Sequence, residues 1–279
     1  MGERILVGLT DGSAARRASE WAVERAIRRG GSIELISIVG SASGALSEAP
    51  VLEHALELTE ALLAQEAERI GARGVPVTTR LERGGFVDCL VDASESVDLL
   101  VIGSDYRGPG AQSPRGPYGI RIASGAHCPV VVVPDIDITG RAGVVVGVDG
   151  SELSHNALRF AAAEAHASGD RLTAVSTWTT VPLPLHVRSY PTEYLAGMQE
   201  ATEDLLTESL APVLVDYPDL EVRRLVQRAS AGQAINRLAQ GARLTVVGSH
   251  GRGRVARFML GSTSEEVLAG MGTVTVVVR

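Results

Sequence analysis

The chain has 279 residues, room for two domains of ordinary size, with 45% apolar but only 4% aromatic residues. Its formal charge is −7, which excludes broad nucleic-acid binding because that needs a basic footprint. All 26 basic residues are Arg, and a chain without Lys excludes a Walker-type phosphate loop.

Strands are expected first at residues 4–9, 33–39, 76–82, 98–103 and 129–134, where short runs rich in Val, Ile and Leu occur. Longer segments of helical period separate them, the last near 117–126. The opening apolar run is broken by Thr10-Asp11-Gly12, too early for a signal peptide, and no apolar stretch approaches the roughly 20 residues of a membrane span. Cys89 and Cys128 form neither a CxxC pair nor a metal-ligand spacing, so both are expected as buried apolar residues in a reducing compartment. A cytoplasmic protein is the expectation.

Residues 134–142 form a short polar boundary, after which the pattern starts again. RILVGLTDGS at 4–13 returns as GVVVGVDGS at 143–151, shorter by the position of Thr10. ASEWA at 18–22 matches ALRFA at 157–161, so Trp21 and Phe160 are expected in the core. LLVIGS at 99–104 matches LTVVGS at 244–249, and the copies then run ungapped to VVVV at 130–133 against TVVV at 275–278. The expected domains are therefore 1–138 and 142–279. In the second, strands are expected near 143–148, 171–178, 220–227, 244–249 and 274–278, and helices near 152–168, 191–214, 231–241 and 262–271. Residues 181–191, with Pro182, Pro184 and Pro191, form a flap or a crossover loop.

Alternating strands and helices with continuous apolar strands predict two doubly wound α/β domains, each with a parallel five-stranded sheet in the order 3-2-1-4-5 or 2-1-3-4-5. The Val-rich strands 129–134 and 274–278 would end their sheets. Bare apolar edges are usually covered, so an intrachain pseudo-dimer pairing them is expected, with a homodimer between chains left open.

Open α/β sheets bind ligands beyond the carboxyl ends of the strands where the winding reverses. In the second domain Asp149-Gly150-Ser151 stands there, opposite the loop from Gly248 through Ser249, His250, Gly251, Arg252, Gly253 and Arg254 to Gly261 and Ser262. Glycines without Cβ permit unusual dihedrals and let backbone N–H groups approach an anion. Ser262 and Glu265 could form a capping box on the next helix; alternatively the Ser262 and Thr263 hydroxyls turn to a phosphate. Asp149 either shapes the turn or touches a ligand, at the base or ribose edge or through a metal. Arg252, Arg254 and Arg257 are phosphate contacts or a solvated face. His250 and His155 flank the site without Ser-His-Asp spacing, so no catalytic residue is assigned.

Gly248-x2-Gly251-x9-Gly261-Ser262 resembles the G-x2-G-x9-G-[ST] motif of universal stress proteins. The likeness spans both halves, and the chain is similar to tandem members of the actinobacterial type. It implies a flavodoxin-like fold and ATP, alone or with Mg²⁺, between strand 1 and the loop after strand 4. It assigns Asp149, Thr177 at the end of strand 2, Gly248, Gly251, Gly261 and Ser262 to the nucleotide; Ser249 and Thr263 are added as neighbours, and Arg252 and Gly253 join the expected binding residues from the reading of the loop itself. The first half departs from the motif. Gly103 and Gly116 are kept, but Tyr106 and Pro117 stand where a glycine and a hydroxyl should be, so the first half is either a degenerate copy kept as a packing partner or a second nucleotide site with Asp11 and Ile38 as candidate base contacts.

The function implied is an ATP-binding stress-response regulator without a dedicated reaction, whose bound state an unknown protein partner reads. The alternative is a scaffold of the same fold that binds no nucleotide. A nucleotidyl-transfer enzyme would need HIGH-like or SGGxDS-like motifs, and the sequence has neither.

Overall fold

The computed structural model describes residues 2–40, 49–104, 118–183, 189–251 and 259–279. The chain divides into two compact units, Met1–Ile136 and Asp137–Arg279.

The first unit runs β1 (Arg4–Gly8), α1 (Ser13–Arg29), β2 (Ser32–Val39), α2 (Ala49–Gly71), β3 (Val77–Arg83), α3 (Phe86–Ala93), β4 (Leu99–Ser104), α4 (Tyr118–Gly125) and β5 (Val130–Pro134). Its strands are all parallel and lie in the order β3-β2-β1-β4-β5. The second unit repeats this as β6 (Val144–Gly147), α5 (Glu152–Ser168), β7 (Leu172–Trp178), α6 (Thr192–Asp216), β8 (Val222–Arg228), α7 (Ala231–Ala239), β9 (Leu244–Gly248), α8 (Ser262–Ala269) and β10 (Val274–Val278). Its parallel order is β8-β7-β6-β9-β10. Within each unit this is the 3-2-1-4-5 order, so the 2-1-3-4-5 alternative falls.

The central strands are apolar on both faces because helices cover both sides. Ile5, Leu6, Val7 and residues 99–102 are buried, as are Val144, Val146, Leu244 and Val246. At the edges β3 and β8 keep two exposed residues each in the middle of the strand, which is why VTTRLER and VRRLVQR read as polar. Helices α1 and α5 each stop at a left-handed residue. Gly30 (φ 67°) ends α1 and Gly169 (φ 66°) ends α5, each in a conformation that costs a side chain about 1–2 kcal/mol.

Trp21 is buried, but Phe160 is only half-buried. Cys128 is buried, whereas Cys89 is half-buried, and both are reduced thiols. Burial, together with the nearby Glu82 carboxylate, pushes the Cys89 thiol above its usual pKa. No helix among the described residues is long and apolar enough to cross a membrane.

Candidate functional site

β6 pairs β9 in register through Val144↔Leu244 and Val146↔Val246, so residues 147–149 and 247–249 emerge side by side at the carboxyl edge. β7 pairs the other side of β6 and β10 the other side of β9. The winding reverses between β6 and β9, and a cavity of about 340 Å³ opens there. Five of the site residues expected from the motif line it: Gly248, Gly251, Gly261, Ser262 and Thr263. Asp149 and Thr177 line it too. Arg252, Gly253, Arg254 and Arg257 lie outside the described residues, as do Pro184, Tyr106, Gly116 and Pro117.

The cavity has two ends of different chemistry. Val148, Val175, Ala231, Ile235 and Val247 form an apolar wall. Opposite them α8 begins with Gly261 as its cap. The Glu265 amide is the first to find an intrahelical acceptor, Gly261 O at 2.9 Å. The three residues before it, Ser262, Thr263 and Ser264, line the cavity and carry the first-turn amides that lack an intrahelical acceptor, the kind of group an anion site uses. Among the described lining residues Asp149 is the one carboxylate.

Asp149 has a structural task as well as a cavity position. Its Oδ1 accepts from the Ser151 amide at 3.0 Å and the Ser151 hydroxyl at 2.6 Å. The Ser151 hydroxyl in turn caps α5 by accepting from the Ser154 amide at 3.2 Å. The other oxygen, Oδ2, abuts the second glycine, lying 2.5 Å from where a Cβ on Gly251 would stand. One carboxylate thus shapes the turn and borders the cradle.

The glycines act differently from the sequence expectation. Neither Gly248 nor Gly251 has a positive φ, so unusual dihedrals do not explain them. Close packing does. A Cβ on Gly248 would stand 3.1 Å from the Leu153 carbonyl, and one on Gly261 3.3 Å from Ser249 O. Gly261 also spends its own N–H on Ser249 O at 2.8 Å, which pinches the loop shut at its base.

Two further expectations are corrected. Ser262 does not cap α8, because the cap position belongs to Gly261 and Ser262 is already helical. The capping box with Glu265 therefore does not form. Ser249 does not line the cavity. It is 2% exposed, donates its amide to Val278 O at 2.7 Å, and its hydroxyl meets His250 Nδ1 at 3.1 Å. It supports the loop from beneath, while His250 lines the cavity. His155 points elsewhere, its Nε2 meeting Ser209 Oγ at 3.2 Å.

Sequence reasoning missed the apolar wall and Ser264, whose hydroxyl donates to Gly248 O at 2.5 Å and ties α8 to the end of β9. The wall left a faint signal: Val175 and Thr177 are two apart on a strand, and Ala231 and Ile235 four apart on a helix, each pair sharing one face.

In the first unit Asp11 lines a different cavity, between α1 and α2, with Arg16, Glu20, Leu62, Glu66 and Arg69. Ile38 is not among its lining residues. Among the described residues no group of three His, Cys, Asp or Glu is placed to hold a metal.

The sequence profile described as the Universal stress protein family matches residues 1–134 and 142–279. Universal stress protein Rv2623 of Mycobacterium tuberculosis is 30% identical over 99% of this chain and 96% of its own. Universal stress protein Mb2028c of Mycobacterium bovis is 34% identical over 78% of this chain and 73% of its own. Among solved structures, a universal stress protein from Archaeoglobus fulgidus superposes with a TM-score of 0.74 at 19% identity, covering 99% of this chain and 98% of that one. With both halves matched and the whole length shared with tandem relatives, the chain belongs to the universal stress protein family.

Proposed function

We propose that the second unit binds ATP and that the protein acts as a cytoplasmic, nucleotide-dependent regulator rather than as a catalyst. One observation carries this reading: a single cavity joins an apolar wall to the open first turn of α8. A flat, largely apolar base suits Val148, Val175 and Ile235, while a phosphate chain suits main-chain donors and a helix N-terminus. Thr177 and Asp149 stand at the apolar end and at the turn, where a hydroxyl and a carboxylate meet a base or ribose edge.

The cavity is large enough for a small ligand, at the lower end of the range of about 300–1,000 Å³ for such sites. Without Lys, the chain leaves phosphate charge to amides, hydroxyls and the Arg-rich loop. Mg²⁺ would neutralise phosphate charge. Asp149 is the described lining residue that would hold it, so the phosphates themselves would supply most of its ligands. Asp149, the one carboxylate among the described lining residues, accepts two hydrogen bonds from Ser151, which suits a binding role better than that of a base.

Isothermal titration of the purified chain with ATP, with and without Mg²⁺, tests the reading. Saturable binding that Gly261→Val weakens supports it. No binding at millimolar ATP would leave the scaffold reading in its place.

A further inference from the structure

We infer that Glu266 is a positioning residue that clamps α7 to α8 and thereby sets the width of the cavity; the inference rests on the nucleotide reading for its ligand. Helix α7 begins without a cap of its own. Its cap residue, Ser230, makes no side-chain bond to its own helix, and its first turn holds no acidic residue. A helix start of that kind leaves several amides without an acceptor and a positive dipole end without a partner.

α8 supplies what is missing. The Ser230 hydroxyl donates to Glu266 Oε2 at 3.0 Å. The same oxygen lies 2.4 Å from where a Cβ on buried Gly232 would stand, and Glu266 Cβ lies 2.7 Å from it. The carboxylate therefore rests on the first turn of α7, and only a glycine at position 232 leaves it room. One turn on, Asn236 Nδ2 donates to the main-chain oxygen of Glu266 at 3.0 Å.

These contacts bracket the cavity. Ala231 and Ile235, on the clamped part of α7, form its apolar wall, while Ser262, Thr263 and Ser264, one turn before Glu266, form its polar wall. The span from apolar slot to helix amides is thus fixed by one residue that lines no part of the cavity. A ligand whose apolar and anionic parts are a set distance apart is sensitive to that span.

The test compares four variants of the full chain by ATP titration, with hydrogen exchange at the Ala234 amide, which donates to Ser230 O at 3.0 Å, as a ligand-free readout. Gly232→Ala wedges the helices apart at the cavity end, and Glu266→Ala removes the clamp. Each should weaken ATP binding about tenfold and speed exchange at Ala234. Glu266→Gln keeps an acceptor for Ser230 and should stay within about threefold of wild type. Asp170→Ala removes the bonds of Asp170 to the Gly143 amide and Arg243 Nε at the opposite, amino ends of β6 and β9. It should lower the melting temperature while leaving ATP affinity unchanged. A purely architectural role would make all four variants alike in affinity, and wild-type affinity in both Gly232→Ala and Glu266→Ala would overturn the assignment. If the wild-type chain binds no ATP, the nucleotide reading fails by itself; exchange at Ala234 still decides the clamp, being faster in Glu266→Ala if it exists and unchanged if it does not.

Discussion

Gly261→Val perturbs the cradle at the point where the loop closes. The glycine amide donates to Ser249 O at 2.8 Å, and a Cβ would stand 3.2 Å from His250 Cα and 3.3 Å from that same carbonyl oxygen. A methyl there is tight, and the two γ-carbons of Val need the base of the loop to open. Overpacking of this kind costs about 1–3 kcal/mol, and losing the closing hydrogen bond costs about 1 kcal/mol more. If about 2 kcal/mol of that falls on the ATP-bound form, affinity drops about 30-fold. The assay is thermal unfolding at fixed ATP. At about 100 times the wild-type dissociation constant, ATP adds roughly 2.7 kcal/mol to the wild-type unit. The same concentration is only about 3 times the variant's constant and adds about 0.9 kcal/mol. For a unit of this size each kcal/mol moves the midpoint by about 4 °C, so the expected shifts are about 10 °C and about 4 °C. The ligand-free midpoint of the variant should also fall. Equal ATP shifts in the two proteins would refute the reasoning, because a closed loop base would then be irrelevant to binding.

Other perturbations separate structure from ligand contact. Asp149→Asn keeps an acceptor for the Ser151 amide, so chemical unfolding should find stability within about 0.5 kcal/mol of wild type while titration finds ATP affinity several-fold weaker. Asp170 accepts from the Gly143 amide at 2.9 Å, Arg243 Nε at 2.7 Å and Ser168 Oγ at 2.8 Å, tying the starts of β6 and β9, so Asp170→Ala should cost about 2 kcal/mol in denaturant melts. Burial opposes ionisation of Asp170, but the Gly143 amide, Arg243 and Ser168 outweigh it and hold its pKa below the usual carboxylate value. A depressed folded pKa means that its contribution is complete above about pH 4–5 and fades as pH falls through the folded value, so the cost of Asp170→Ala should shrink in acid melts. In the first unit Glu66 faces burial too, yet Arg69 and Ser19 lower its pKa, and Arg69, paired with Glu66 and Glu20, is raised in turn. Arg69 is 38% exposed, so Glu66→Ala should cost only about 1 kcal/mol, and 0.5 M salt should reduce the difference in thermal melts.

Much of the fold was legible because its causes are local. Val-rich runs buried on both faces made the central strands plain, and the repeat of VGLTDGS as VGVDGS fixed two copies of one topology. The helix expected at 152–168 ends there because Gly169 takes the left-handed conformation, a one-position demand. The strand order was open between two possibilities, since which neighbour β1 takes depends on crossovers and not on its own residues.

The site was legible as a spacing and illegible as a set of reasons. Three glycines at fixed intervals announced a loop that must pass close to something, but the residues it passes are Ser249, within the same loop, and Asp149 and Leu153, from the distant turn after β6 and the start of α5. Ser262 looked like a cap because Ser before Glu at three residues usually is one. Gly261 takes the cap instead, because its amide is already held by Ser249 O and the chain turns helical one residue later. The apolar wall and Glu266 gave still less away. A carboxylate at position 266 reads as a solvated residue on a short helix until α7 is known to begin beside it without a cap of its own. Local signals therefore locate a site of this kind, while the contacts that join its walls belong to pairs of elements, here the bonds of Ser230 and Asn236 to Glu266 across α7 and α8.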